Sequence, residues 1–405
     1  MAARLSSKYD VVIIGAGPVG IYTAIKLTKA GFRILVIEED AQVGKPRFCT
    51  GLISKEAFDR FYLPREAIEN EFNSAWIISP FGKMVCLKSK TIQVYATDRA
   101  VFDHRLYLQA KEAGVEFLLN CYCSGLKLND NYVEERITFD GQETTIKSEV
   151  AVLATGIKYN LHRCVGLNAP AKFLDCSQIQ ATGNSDGGIE IFIGNSIAPH
   201  SFAWILPLKE KKLRIGLSTY QNSYLYLKLF LKNLKKKGRI NEENFNIMRR
   251  PVPLGTIKST YACRILVAGD AAGQVKPTTG GGIYFGLLCA ELSAKTVIEA
   301  FKAGDFSERF LRRYEINWKK KIEFDLTMGL YLRKLIARLN DEQIEKLFHF
   351  CSQDSIQKLI EKYADFNHHG RFIKELIKMP AFWKNFYQIL TAKPECLQEY
   401  ESKRK

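Results

Sequence analysis

Residues 9–39 read YDVVIIGAGPVGIYTAIKLTKAGFRILVIEE. The runs VVII and ILVI are apolar without alternation, the pattern of parallel strands buried on both faces. Between them, residues 19–30 predict a helix that turns Ala24 and Leu27 toward a sheet, with Gly31 as its stop. Strand, helix and strand at this length form a right-handed crossover unit. The segment predicts an α/β fold built on a Rossmann-type parallel sheet.

The turn in that unit also carries chemistry. Gly15-Ala16-Gly17-Pro18-Val19-Gly20 fits G-x-G-x-x-G. Gly15 permits the tight turn, Gly17 lets a pyrophosphate approach the backbone, and Gly20 lets helix and strand pack closely. The helix start, with Pro18 in it, offers free N–H groups and partial positive charge to phosphates. Glu38 ends the second strand 18 residues after Gly20, with Glu39 beside it. A carboxylate there accepts hydrogen bonds from ribose hydroxyls and disfavours a 2′-phosphate, which leaves FAD and NAD as ligands.

A second stretch, GDAAGQVKPTTGGG at 269–282, separates those two. It follows the apolar run RILVA, so Gly269 and Asp270 stand at the C-terminal end of a buried strand, where open α/β sheets bind ligands. Pro277 and then Gly280, Gly281 and Gly282 prepare a second helix N-terminus. Each glycine at a helix start costs about 1 kcal/mol in propensity, which argues against a merely structural use. Asp270 suits a ribitol hydroxyl, and the glycines suit a flat ring lying against the backbone. The pair of motifs therefore predicts FAD.

Elsewhere, residues 54–70 predict a helix broken at Pro64, and 74–96 a hairpin turning at Pro80-Phe81-Gly82. A helix is expected over 100–113, a hairpin with Asp140-Gly141 at its tip, and a buried strand over 149–156. Short strands fill 186–220, a basic helix 223–238, and a long apolar helix 281–302; everything after 305 reads as helical.

Of the 405 residues, 46% are hydrophobic and 25% charged, which excludes global disorder. No apolar run is long enough to span a bilayer, and MAARLSSKYD has no apolar signal region. Ten cysteines lack any C-x-x-C pair, so they read as reduced thiols rather than disulfides, zinc or iron–sulfur ligands. These features predict a cytoplasmic protein without a metal. The net charge of +16 points to an anionic partner or to a solvated basic surface. The runs 209–212, 235–239 and Trp318-Lys319-Lys320-Lys321 suit an anionic membrane surface, which would make the protein peripheral on the inner face of the membrane. No nucleic-acid-binding module is recognisable.

Three further segments carry a resemblance. Lys45-Pro46-Arg47-Phe48-Cys49-Thr50-Gly51-Leu52-Ile53-Ser54 resembles P-x-x-C-x-G-x-x-S, Asp98-Arg99-Ala100-Val101-Phe102-Asp103 resembles D-R-x-x-F-D, and Phe202-Ala203-Trp204-Ile205-Leu206-Pro207 resembles Y-x-W-x-F-P. With the two glycine motifs, they make residues 8–300 similar to the geranylgeranyl reductase family, which includes archaeal digeranylgeranylglycerophospholipid reductases, within the p-hydroxybenzoate hydroxylase-type flavoproteins. Phe202 stands where that family has tyrosine, Leu206 replaces an aromatic residue, and Thr155-Gly156 replaces the superfamily's Asp-Gly, with Arg163 following.

The resemblance implies a Rossmann-type FAD-binding domain (1–71, 96–162 and 256–300), an inserted antiparallel β-sheet substrate domain (72–95 and 163–255) and a helical C-terminus (301–405). It implies reduction of isoprenoid C=C bonds by hydride from reduced flavin, on a lipid substrate. Cys49 would be catalytic. Cys49, Gly51, Arg99 and Cys123 would join the cofactor site, with Asp103 orienting Arg99. Phe202, Trp204 and Pro207 would line the substrate tunnel. Electrons would come from an external donor, NAD(P)H or a ferredoxin-like protein. The alternatives are a flavin monooxygenase, a quinone-linked dehydrogenase, a non-redox isoprenoid cyclase that uses reduced flavin, and a non-enzymatic flavin-binding regulator.

Overall fold

The computed structural model describes residues 8–45, 49–185, 187–242 and 244–391, with side chains to Ile389. Pro46, Arg47 and Phe48 of the cysteine motif lie outside those residues, as does the chain after 391.

The crossover unit forms as its apolar runs dictate. Strand Lys8–Ile14, helix Pro18–Thr28 and strand Ile34–Ile37 follow in order. The first strand runs parallel to Ile34–Ile37 on one side and to Gln142–Leu153 on the other, with Val11 opposite both Ile34 and Val150. Ile265–Val267 extends the sheet beyond Gln142–Leu153, and Glu116–Leu118 extends it beyond Ile34–Ile37, both in parallel. The hairpin at Asp140-Gly141 has φ values of 49° and 75° at its tip, and its outer strand Val133–Phe139 pairs with Cys121–Leu128. Helices Pro18–Thr28, Arg99–Glu112 and Ile283–Ala303 cover one face through Ile21, Phe102, Phe285 and Leu287, all within 1% of full burial.

A second sheet has the order Met248–Leu254, Lys172–Thr182, Lys212–Thr219, Phe202–Pro207, Ile189–Ile193, Ser74–Ile78, Met84–Lys88. Neighbours are antiparallel except Ile189–Ile193 with Ser74–Ile78. Helix Ser223–Lys236 covers its back face with Leu227, Phe230, Leu231 and Leu234. Met248–Leu254 carries Pro251 and Pro253, which an edge strand tolerates because no second neighbour needs their N–H groups. A small sheet of Leu52–Ser54, Val94–Thr97 and Ile68–Phe72 links the two. Residues on both sides of the expected 95/96 boundary thus share one strand.

The helix expected over 54–70 covers only Lys55–Phe61. It ends at Tyr62, which adopts left-handed φ 54°, and Ile68–Phe72 becomes a strand against Val94–Thr97. Helices Glu308–Trp318 through Pro380–Thr391 form the C-terminal region, whose core of Ile344, Phe348, Phe382 and Phe386 packs on Ile77, Val85 and Ile193 of the second sheet.

The expectation for Trp318 is also overturned. Trp318 does not face a membrane: it is 1% exposed, and its indole N–H donates to Thr260 Oγ1 at 2.9 Å. The large apolar ring is more stable in the core beside Tyr314 and Leu311 than beside the lysines that follow it. Trp318→Ala should cost about 3–5 kcal/mol in urea unfolding, as for other core aromatic truncations. Unchanged stability would contradict this placement.

Candidate functional site

The glycine motif works by close contact at two of its three positions. A Cβ on Gly15 would lie 2.3 Å from the Ala154 carbonyl oxygen, and one on Gly20 would lie 2.0 Å from the Gly15 carbonyl oxygen. Gly17 differs, since a Cβ there would meet no protein atom within 4 Å. Gly17 lines a cavity of about 740 Å³ and caps helix Pro18–Thr28, whose first turn has no acidic residue. The fold itself does not require glycine there, so the residue fits a group that approaches the backbone, as a pyrophosphate does.

Glu38 closes the same end. Its carboxylate accepts the Ala16 N–H at 2.6 Å and the Asp40 N–H at 3.0 Å. Burial raises its pKa against the pull of those two donors. Glu39 lines the cavity and pairs with Lys158. Cys123 lines it too, with burial pushing its thiol up to about 12.

At the other end, Asp270 is held at the close of strand Ile265–Val267. Burial raises its pKa, while the guanidinium groups of Arg250 and Arg99 oppose the rise. The three glycines have reasons internal to the protein. Gly280 takes φ 74°, Gly281 leaves room for Lys276 Cε at 3.1 Å, and Gly282 leaves room for Asp270 Oδ1 at 2.7 Å. Lys276 Nζ donates to the Phe366 carbonyl at 2.6 Å and lies 4.3 Å from that ring's centre. Burial lowers its pKa to about 8.

The cysteine motif lies between the two ends. Gly51 has φ 74°, and a Cβ on it would lie 2.4 Å from the Thr97 carbonyl oxygen. Arg214 fixes this turn by donating to the carbonyls of Thr50 at 2.5 Å and Thr97 at 3.1 Å, while pairing with Glu69 at 2.9 Å. Cys49 Sγ accepts the Gly51 N–H at 3.4 Å. Arg99 forms a two-point ion pair with Asp103 at 3.0 and 2.8 Å. Burial opposes the charge on Arg99, but Asp103 and the Cys49 thiol outweigh it and keep the guanidinium protonated.

The cavity continues along the second sheet, between Ile189, Ile191, Phe202, Trp204 and Leu206. Trp204 packs over Gly216, where a Cβ would lie 2.4 Å from the indole. Its N–H is buried and has no hydrogen-bond partner among the described residues. Leu332, Arg333 and Ile336 of helix Phe324–Ile336 close this end, and Phe366 and Asn367 flank the glycines.

Of the residues singled out in the sequence, Gly15, Gly17, Pro18, Glu38 and Glu39 line the cavity at one end. Cys49, Gly51, Arg99 and Cys123 line it, as do Asp270 and Gly280–Gly282. So do Phe202 and Trp204. Four do not line it. Gly20 packs on Gly15, and Gly269 packs on Val19, whose methyl group would lie 2.9 Å from a Cβ added at Gly269. Pro277 lies against Gly329, where an added Cβ would come within 3.2 Å of its ring, and Pro207 is buried with its carbonyl accepting from Asn70 Nδ2 at 3.2 Å. Sequence reading missed Arg214, Arg250, Arg333, Phe366 and Asn367, which reach the site from segments without a motif. Lys276 stands inside the quoted glycine stretch and was legible as a lone cation there.

A family profile described as pyridine nucleotide-disulphide oxidoreductase matches residues 9–188. A digeranylgeranylglycerophospholipid reductase of Methanocaldococcus jannaschii is 31% identical over 401 residues, covering 96% of this chain and 100% of the relative. A digeranylgeranylglycerophospholipid reductase 2 of Methanothermobacter thermautotrophicus is 31% identical over 355 residues, covering 84% of this chain and 91% of its own. Among solved structures, a geranylgeranyl bacteriochlorophyll reductase-like protein from Thermoplasma acidophilum superposes with a TM-score of 0.82 at 23% identity, covering 95% of this chain and 99% of that one. A p-nitrophenol 4-monooxygenase from Pseudomonas putida gives 0.64 at 19% identity, covering 94% and 99%. Both structural likenesses concern the fold.

Gly17→Val should fold with an unchanged melting profile of the flavin-free protein, because its side chain enters open space. Its flavin content after purification should fall about tenfold or more, since the backbone can no longer be approached. Full flavin content in Gly17→Val would contradict the cradle.

Proposed function

The chain belongs to the digeranylgeranylglycerophospholipid reductase family, and we propose that it saturates C=C bonds of geranylgeranyl chains on a glycerophospholipid with FAD as its cofactor. The observation that carries this reading is one continuous cavity, with a dinucleotide cradle at one end and an apolar wall at the other. An isoprenoid chain needs such a wall, and a dinucleotide with a ribitol needs both Glu38 and Asp270. The fold is shared with a monooxygenase, and two relatives similar over most of the chain are reductases.

In this reading Gly15, Gly17, Pro18 and the N-terminus of helix Pro18–Thr28 hold the pyrophosphate, Glu38 the adenosine ribose, and Asp270 the ribitol. FAD held there would, when reduced, supply a hydride equivalent for one alkene carbon. The other carbon needs a proton, and Cys49 is the residue assigned to deliver it from Sγ. Arg99, fixed by Asp103, then faces the thiolate until solvent returns the proton. Phe202, Trp204 and Ile191 keep water from the reacting bond, which favours coupled proton and hydride delivery over release of a charged intermediate.

No helix among the described residues is long and apolar enough to cross a membrane. Helix Ser223–Lys236 supports peripheral contact, since Leu225 and Leu229 are each 53% exposed among Lys228, Lys232 and Lys236. The external electron donor is NAD(P)H or an acidic protein carrier of ferredoxin type, and the +16 charge suits steering of the latter.

Holoenzyme reduced anaerobically with dithionite and given a digeranylgeranyl phospholipid should yield product that gains two hydrogens for each double bond lost, read by mass spectrometry. Oxygen in the product, or unchanged mass, would overturn the reductase reading. Cys49→Ala should lower turnover about 100-fold or more with flavin content retained, as for loss of a general acid. Undiminished turnover would remove Cys49 from the chemistry.

A further inference from the structure

In the reductase reading, each saturated double bond consumes a proton as well as a hydride, while the apolar wall keeps water from the reacting bond. The proton then needs a route of its own. A hydrogen-bonded chain at the glycine end of the cavity has the form of one.

A second cavity of about 650 Å³ lies behind that end, lined by Lys55, Glu56, Asp59, Arg60 and Asp365 among others. Ser54, Phe366 and Asn367 line both cavities and so form the partition between them. Glu56 stands on the second cavity, is exposed, and does not line the main one. Both of its carboxylate oxygens nevertheless bond inward. Oε1 accepts the Tyr284 O–H at 2.6 Å, and Oε2 accepts from Asn367 Nδ2 at 2.8 Å. Asn367 Nδ2 also donates to Ser54 Oγ at 3.0 Å.

The inner partners are buried. Tyr284 is the second residue of helix Ile283–Ala303, directly after Gly280–Gly282, and it lines the main cavity. Burial raises its pKa and the bond to Glu56 adds to the rise, so the phenol stays protonated at neutral pH. Asn367 Oδ1 is buried with no hydrogen-bond partner among the described residues, which leaves one acceptor unspent inside the partition. Such an acceptor is costly unless water or another donor reaches it. The other charged or titratable groups acting around Glu56 are Arg60 on its own helix, Lys276 in the glycine stretch, and Asp365 and His368 in the loop beyond. A buried phenol is thus tied to a carboxylate that exchanges protons freely with solvent.

We propose that Glu56 is a proton port, passing solvent protons through Tyr284 into the main cavity. Glu56 takes a proton from water in the second cavity. Its O–H bond then breaks as an O–H bond forms at the phenol oxygen. The phenol's original proton leaves on the inner side, through water, for the thiolate left at Cys49. The phenol is neutral before and after, and no electrons are exchanged. Glu56 is a relay residue, and Asn367 positions its second oxygen. The inference rests on the reductase reading and adds how the consumed proton is returned.

Holoenzyme is reduced anaerobically and given a digeranylgeranyl phospholipid, once with a single equivalent of dithionite and once with excess. In Glu56→Gln the first turnover should stay within about twofold of wild type, because the donor already carries its proton. Later turnovers should fall about tenfold or more, as for loss of a proton-transfer group. Flavin content, melting temperature and lipid affinity, read from the flavin absorbance change, should not move. Glu56→Ala should regain later turnovers in proportion to added acetate, which can enter the second cavity in place of the carboxylate. Tyr284→Phe should show the same split between first and later turnovers without rescue, and it carries the test should the Glu56 variants lose flavin. Equal losses in both phases, undiminished later turnovers, or no rescue of Glu56→Ala by acetate would overturn the port while leaving the reductase reading intact. Failure of the wild type to reduce the lipid would instead sink the reductase reading, and the port with it.

Discussion

The site depends on how closely two helix starts can approach the ends of two strands. Val19, in the first turn of helix Pro18–Thr28, fits against Gly269 and Gly286, where added Cβ atoms would lie 2.9 and 2.6 Å from its methyl group. Gly20 lets the same turn rest on Gly15, and Gly15 rests on Ala154. Any side chain at these positions would push apart the helix that starts at Pro18 and the helix that starts at Ile283. The two N-termini would then no longer face one cavity. Both helix starts along the cavity are thereby framed by backbone contacts rather than by flexible side chains.

Charge placement follows from that frame. Glu38 and Asp270 are half-buried carboxylates that line one cavity, each with its pKa raised by desolvation. Among the described residues, neither makes an ion pair with a lysine or arginine at contact distance, although Arg250 and Arg99 act on Asp270 from further away. Groups of this kind are poised to accept hydrogen bonds from hydroxyls, and carboxylates already held in salt bridges are less available for that purpose. Arg99 and Asp103, by contrast, satisfy each other and leave the arginine with its Cys49 face.

The parts legible in the sequence are those where chemistry is encoded within a few residues. Gly15–Gly20 with Glu38, and Asp270 with its glycines, depend on local spacing along one strand–turn–helix. The spacing did not disclose that Gly281 and Gly282 make room for Lys276 and Asp270, because those contacts close within the folded loop. Arg214 and Arg333 were invisible, since each reaches the site through tertiary packing from a segment with an ordinary pattern. Strand Lys172–Thr182 was hidden for a related reason: Cys176 and Gln178 line a cavity, so its inward face is not uniformly apolar. Trp318 was misread because neighbouring lysines suggested an interface, whereas helical geometry turns the tryptophan inward and Lys320 and Lys321 outward. Pro207, Pro277 and Gly269 belong to motifs that shape the wall from behind.

The central claim is that a lipid double bond itself takes up reducing equivalents in this cavity. A single-turnover experiment tests it most directly. Reduced holoenzyme is mixed with a digeranylgeranyl phospholipid in the strict absence of oxygen, and the oxidised flavin band is followed. The account predicts that the band returns and that one double bond is lost per flavin reoxidised. A flavin that stays reduced until oxygen is admitted would contradict it.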